Sequence, residues 1–195
     1  MSTTPINSGG SEYQIPTGGL AKISPHVVYL LVDCSTSMEG PSLQQAKNGA
    51  IKFATDARTR GYRVGLIRFA DKANALMNPD TGFTQAIQNL IAYGNTNLTA
   101  AIELATEHLV REATGERIIC VVTDGMPDNQ RTALKAAKRA TQNDIEIMVI
   151  GTSEADRKFL SKLATRAGLY NYVEKESLEK GVTDMARLLP PPRSN

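Results

Sequence analysis

Two uninterrupted apolar runs constrain this chain most: Val27-Val28-Tyr29-Leu30-Leu31-Val32 and Ile118-Ile119-Cys120-Val121-Val122. Neither alternates with polar residues, so a strand built from either is buried on both faces. Such strands need cover on two sides, and the segments between them carry apolar residues at helical spacing. Leu43, Ala46, Ala50, Phe53 and Ala57 fall on one face of a helix predicted over Ser42 to Arg60. Pro41 suits its start and Gly61 its end. Leu98, Ile102, Ala105 and Leu109 mark another helical stripe. From Pro25 onward strand and helix patterns alternate without a break. That alternation argues for an α/β fold, a mostly parallel sheet with helices on both faces.

The two runs predict strands over His26 to Asp33 and Arg117 to Thr123, and further strands are predicted over Tyr62 to Ala70, Ile145 to Ile150 (closed by Gly151) and Leu169 to Val173, with Asn74 to Met77 as a short hairpin partner to the strand at Tyr62. Helices are predicted over Thr81 to Ile91, Asn129 to Asn143, and Ala155 to Ala167 ending at Gly168. A last helix carries Leu178, Val182, Met185 and Leu189 on one face and stops at Pro190-Pro191-Pro192. Residues 1–24, rich in Ser, Thr, Gly and Pro, read as a flexible N-terminal tail with a late edge strand at Tyr13 to Ile15. Residues 25–190 read as one domain and 191–195 as a short C-terminal tail. A length of 195 residues suits a single domain.

The formal net charge of +2 is too small to argue for nucleic acid. No apolar run approaches the roughly 20 residues that span a bilayer, so no membrane partner is expected. Met1-Ser2-Thr3-Thr4-Pro5 has neither a basic nor an apolar leader character, which gives a cytoplasmic expectation. In that setting Cys34 and Cys120 are expected as buried thiols; a disulfide between them would need neighbouring strands. Neither His26 nor His108 pairs locally with Cys34 to make it a nucleophile.

In open α/β sheets ligands bind beyond the carboxyl ends of the strands, where the winding reverses. Asp33 and Asp124 end the two apolar runs. Asp33 opens Asp33-Cys34-Ser35-Thr36-Ser37, and Thr96 sits in the loop Tyr93-Gly94-Asn95-Thr96-Asn97. Carboxylate and hydroxyl oxygens are hard ligands suited to magnesium, calcium or manganese rather than zinc or copper. Only Asp33 and Asp124 bring negative charge. Magnesium takes six ligands and keeps waters, so Asp33, Ser35, Ser37, Thr96 and Asp124 together leave room for one from outside. Two plainer readings stand beside this one: a polar turn whose serines cap the next helix, and a simple turn at Asp124-Gly125.

Asp-x-Ser-x-Ser after a buried strand, a Gly-x-Thr loop, and Thr-Asp-Gly after a later strand resemble the von Willebrand factor type A domain. Asp33 to Ser37, Gly94-Asn95-Thr96 and Thr123-Asp124-Gly125 carry the match, and the likeness covers about Val27 to Leu189. It implies a three-layer, doubly wound, Rossmann-like sheet of about six strands with one short antiparallel edge strand. It also implies a complete metal-ion-dependent adhesion site. There Ser35, Ser37 and Thr96 coordinate magnesium through hydroxyls, and Asp33 and Asp124 act directly or through water. Thr99 is the rival threonine, but Thr96 holds the matching position after Gly94. Thr36 stands where the family often has Gly. The likeness is to stand-alone intracellular bacterial members, which work beside kinases, phosphatases or ATPases of the same system.

The chain has no Gly-x-Ser-x-Gly elbow and no phosphate-binding Gly-x-x-x-x-Gly-Lys-Ser/Thr loop. It also lacks a Gly-x-Gly-x-x-Gly turn after the first strand. The expected function is therefore non-enzymatic: a divalent-metal-dependent protein-interaction module whose ion is completed by a partner's Asp or Glu. The alternatives are a magnesium-dependent phosphate-ester hydrolase and a scaffold whose metal is purely structural. Arg131, Lys135 and Lys138 or Arg139 form a basic stripe that reads as a solvated face or as steering for an acidic partner.

Overall fold

A computed structural model of the chain describes residues 26–77, 82–125 and 127–191. The tail over residues 1–24, the strand at Tyr13 to Ile15 and residues 192–195 lie outside the described residues.

The first apolar run forms β1 (His26–Asp33), buried at every position. It pairs in parallel with β2 (Tyr62–Phe69) on one side and with β4 (Arg117–Thr123) on the other. β3 (Ala73–Met77) folds back antiparallel on β2, while β5 (Ile145–Thr152) and β6 (Tyr170–Val173) extend the opposite side in parallel. The six-stranded sheet runs β3-β2-β1-β4-β5-β6. Winding proceeds outward from β1 to β3, then returns to the other side of β1 at β4. The reversal between β1 and β4 puts the carboxyl ends that carry Asp33 and Asp124 side by side.

Helices cover both faces. α1 (Pro41–Thr59) packs on α6 (Leu178–Met185), and α3 (Leu98–Glu112) packs on α4 (Gln130–Thr141). α2 (Phe83–Gln88) leans on α1, and α5 (Arg157–Leu163) on α4. The buried face of α4 is all alanine, Ala133, Ala136, Ala137 and Ala140, a choice that lets a helix lie close to its neighbours. Side chains cap three N-termini: Asn97 accepts from the Ala100 N–H, Asn129 from Thr132 and Asp156 from Phe159.

Four expectations shift. The helix expected over Thr81 to Ile91 is shorter, Phe83–Gln88, with Asn89 as its C-cap. α5 stops at Leu163 rather than at Ala167, because Thr165 is drawn to the sheet. Its hydroxyl accepts from the Ile147 N–H at 2.6 Å and its own N–H donates to Ile147 O at 3.1 Å. β5 runs through Gly151 to Thr152, and the glycine is there because the Leu160 side chain occupies the space a Cβ would need. The last helix ends at Met185 and tightens to a single 3₁₀ turn, Ala186–Leu188. Leu189 beyond it is still buried. The two cysteines are free and buried. Cys120 is level with Leu30, four residues short of Cys34, or about 13 Å along a strand and too far to bridge.

Candidate metal centre

The turn after β1 closes on its own aspartate. The Ser35 N–H donates to Asp33 Oδ1 at 2.8 Å, and a short 3₁₀ turn, Thr36–Met38, follows. That turn brings the Ser35 and Ser37 hydroxyls within 3.0 Å of each other, and Ser37 Oγ donates to Asp124 Oδ1 at 2.8 Å. The Thr123 hydroxyl donates to Asp33 Oδ2 at 2.6 Å across the β1–β4 boundary. Hydrogen bonds thus join Asp33, Ser35, Ser37 and Asp124. The serines do not cap the next helix, whose N-cap is Gly40. A Cβ at Gly125 would stand 3.4 Å from Ser37 Oγ, in ordinary contact, so the second turn lies directly beside that hydroxyl.

Thr96 joins through its backbone. Gly94, two residues before it, accepts from both the N–H and the hydroxyl of Thr36, each at 3.1 Å. On its other flank Thr96 bonds Asp128, which lies in the loop after Asp124. The three loops are therefore stitched into one surface. Thr99, the rival threonine, points elsewhere: its hydroxyl shares a hydrogen with Thr132 on α4 at 2.8 Å. His108 also lies apart, bonded to Glu112 and packed on Tyr29 in a tilted arrangement with ring centroids 5.3 Å apart. Arg131, Lys135, Lys138 and Arg139 are all exposed, and Arg139 pairs with Glu103.

Electrostatically the centre is short of positive charge. Burial pushes the Asp33 carboxyl up to about 6, and neighbouring Asp124 adds to the rise. Bonds from Thr123 and Ser35 hold it back. Burial also raises Asp124, against the Ser37 hydroxyl and the Lys175 ammonium. Two adjacent carboxylates, 0% and 2% exposed, each hold a proton more tightly than a free carboxyl would, and a cation between them would offset the cost of their burial. Asp124 Oδ2 is buried without a hydrogen-bond partner among the described residues. A buried carboxylate oxygen left so is costly, and a cation would relieve it. No group of three or more His, Cys, Asp or Glu side chains stands together as a metal site among the described residues. The donors here are hydroxyls with two carboxylates, which fit a hard divalent ion.

Three residues that brace the candidate centre escape a reading of the sequence: Thr123, which bonds Asp33, and Asp71 and Asp128, which hold the Thr96 loop. Thr123 stands inside the Thr-Asp-Gly motif, so its position was visible though its bond was not. Asp71 and Asp128 carry no spacing signal.

A family model for the von Willebrand factor type A domain matches residues 28–186. The thrombospondin-related anonymous protein of Plasmodium falciparum is 28% identical over 144 residues, 65% of this chain and 26% of that protein. The chain thus spans about a quarter of the length of the curated relative it matches. Among solved structures, the pilus adhesin SpaC from Lactobacillus rhamnosus GG aligns with a TM-score of 0.75 at 16% identity, covering 85% of this chain and 30% of that one. The manganese-loaded TRAP protein of Plasmodium vivax aligns with a TM-score of 0.66 at 23% identity, covering 82% and 74%. At these identities the structural likeness establishes the fold.

Proposed function

This chain belongs to the von Willebrand factor type A domain family, and we propose that it is a protein-interaction module that works through a divalent cation. Asp33, Ser35, Ser37, Thr96 and Asp124 hold the ion, magnesium in the first place, with calcium or manganese as substitutes. Bound there, the ion supplies a Lewis-acidic position that a carboxylate from a partner's Asp or Glu completes. The observation that carries this reading is the buried, unpartnered Oδ2 of Asp124, beside hydroxyls already aligned by Ser37. The manganese held by the Plasmodium vivax protein of the same fold is consistent with it.

The residues hold and orient rather than react. Asp33 and Asp124 balance the charge of a divalent ion. Neutral Ser35, Ser37 and Thr96 leave it electrophilic toward an incoming carboxylate. The nearby Lys175 ammonium is engaged by Glu154 at 2.7 Å instead of being presented to a phosphate. That arrangement favours adhesion over phosphate-ester hydrolysis. Two free thiols suit a reducing, cytoplasmic setting, and no described helix is long and apolar enough to cross a membrane. A kinase, phosphatase or ATPase of the same system is the partner class that the family resemblance suggests.

Calorimetric titration of magnesium into wild type and Asp124→Ala tests the site. A Glu-bearing peptide titrated into the magnesium-saturated protein then tests the open position. Saturable binding lost in the variant, followed by magnesium-dependent peptide binding, supports the reading. Equal metal binding by both proteins sinks it. Chelation that lowers the melting temperature while leaving association untouched would favour the structural-metal scaffold.

A further inference from the structure

Asp128 and Asp71 are exposed carboxylates beside the candidate centre, and the five-ligand reading gives neither of them a role. Their bonds show what they do. Asp128 Oδ1 accepts the Thr96 N–H at 3.0 Å, and the Asp128 N–H donates to Thr96 O at 3.0 Å. One residue therefore occupies both backbone hydrogen-bonding groups of Thr96. Asp128 lies four positions beyond Asp124, so this two-bond ring ties the threonine to the loop that bears the second carboxylate.

Asp71 grips the same loop from the β2–β3 side. Its Oδ1 accepts the Asn95 N–H at 2.9 Å, and its carbonyl accepts from Asn97 Nδ2 at 3.2 Å. The Asn97 N–H adds a bond to Ala70 O at 2.8 Å. Between these anchors Gly94 takes a φ of 72°, and its missing Cβ leaves the space that the Asp71 carboxylate fills. A side chain there would face both a disfavoured backbone and a clash.

We infer that Asp128, with Asp71 opposite it, is a positioning residue that fixes where Thr96 stands relative to Asp124 and so makes the centre discriminate magnesium from calcium. The inference rests on the metal-binding reading above. The physical reason is the difference between the two ions. Magnesium demands near-ideal octahedral geometry at about 2.0–2.1 Å, whereas calcium tolerates six to eight ligands at about 2.3–2.6 Å. A loop clamped from two sides holds one hydroxyl-bearing residue to the tolerance magnesium requires. A loosened loop still serves calcium. Residues that orient metal ligands are commonly worth about 10–100-fold in affinity when removed.

The test is calorimetry with magnesium and with calcium on wild type, Asp128→Ala and Asp128→Asn. Melting temperatures in EDTA serve as the control for folding. Asp128→Ala should bind magnesium about tenfold more weakly and calcium with a smaller loss, so the magnesium-to-calcium preference falls. Asp128→Asn keeps a side-chain oxygen for the Thr96 N–H and should recover most of the preference. A merely structural role would lower the melting temperature in EDTA without moving the ratio of the two affinities, and that result overturns the inference. Wild-type affinities in Asp128→Ala overturn it too. Equal damage from Asn and Ala also does so, because it would assign the effect to charge. Should Asp128→Ala fail to fold, Asp71→Ala loosens the same loop from the other flank and carries the same expectation. Failure of the wild type to bind either ion is a separate result. It removes the metal-binding reading itself, and this inference with it.

Discussion

The ring of Tyr29, midway along β1, lies against Gly65 on the neighbouring strand β2, filling the space where a side chain at 65 would stand. The tyrosine is fully buried, and its hydroxyl donates to Glu112 Oε2 at 2.9 Å. The absence of a Cβ at one position thus sets the direction of a large side chain on the next strand.

Gly65→Ala should destabilise the fold by about 1–3 kcal/mol, the usual cost of overpacking a filled core. The Tyr29 ring is trapped between the sheet and α3 and cannot swing aside. Chemical denaturation measures the loss. Tyr29→Leu combined with Gly65→Ala should be less damaging than the sum of the two single changes. Strict additivity would mean that the two sites do not press on each other.

Gly49 and Gly181 should respond differently to alanine although both are helical. A Cβ at Gly49 meets the Glu179 carbonyl oxygen and Val182 Cβ, each at 2.8 Å, so α6 as a whole would have to move. At Gly181 the one hard clash is with the tip of Ile150, the far end of a flexible side chain, and the Val173 methyls at 3.0 and 3.3 Å need give way only by tenths of an ångström. Alanine gains about 1 kcal/mol of helix propensity over glycine at either place. Gly181→Ala should therefore stay within about 1 kcal/mol of wild type, while Gly49→Ala should lose about 1–3 kcal/mol. Equal thermal shifts for the two would contradict this account of the α1–α6 contact.

Ser37→Ala removes the donor that satisfies Asp124 Oδ1. In EDTA the variant should lose about 1–3 kcal/mol, the cost of leaving a buried acceptor unmade. Magnesium should bind it more weakly, because one of the proposed hydroxyl ligands is gone and Asp124 is no longer aligned. Differential scanning calorimetry with and without magnesium reads both effects. A variant as stable as wild type in EDTA would show that water reaches Asp124.

The pH dependence of the chelated protein should have an unusual sign at Asp33. Its carboxyl is raised from 3.8 to about 6 by burial, so between those values the folded chain binds a proton that the unfolded chain has released. Stability from this group is present in full below about pH 4 and is lost as pH rises through about 6. The swing is up to about 3 kcal/mol. Other carboxylates, among them Glu112 and Asp184, are shifted the opposite way, so the informative quantity is a difference. In EDTA, the stability of wild type relative to Asp33→Asn should rise as pH falls from 7 to 4. A flat difference would show that Asp33 is ionised in the fold at no cost.

Most of the architecture was legible because two-sided burial leaves a plain mark. β1 and β4 span His26–Asp33 and Arg117–Thr123, the residues their apolar runs predict. The gathering of Asp33 and Asp124 followed from the winding rule once their strands were adjacent. The remainder depends on contacts that spacing cannot show. α5 reads as helical through Ala167, yet Thr165 finds a better partner in the backbone of Ile147. Gly151 reads as a stop but makes room for Leu160. Asp71 and Asp128 read as ordinary loop acids, because their task is to accept backbone N–H groups that only the folded loops present.

The reversal between β1 and β4 also sets an order of events. The Ser37–Asp124 bond closes a separation of 87 residues, and β1 cannot gain its second neighbour until β4 has been synthesised and docked. Closing a loop of that length is slow relative to pairing β1 with β2, which lies nearby in sequence. A nascent chain that has emerged only through α3 carries every residue of the candidate centre but Asp124 and a central strand with one edge bare, the kind of edge that recruits other chains. A cation held through Asp124, as proposed above, would therefore be captured late. Its capture would report that both halves of the sheet have joined, and it would offer no help to the first half while that half waits.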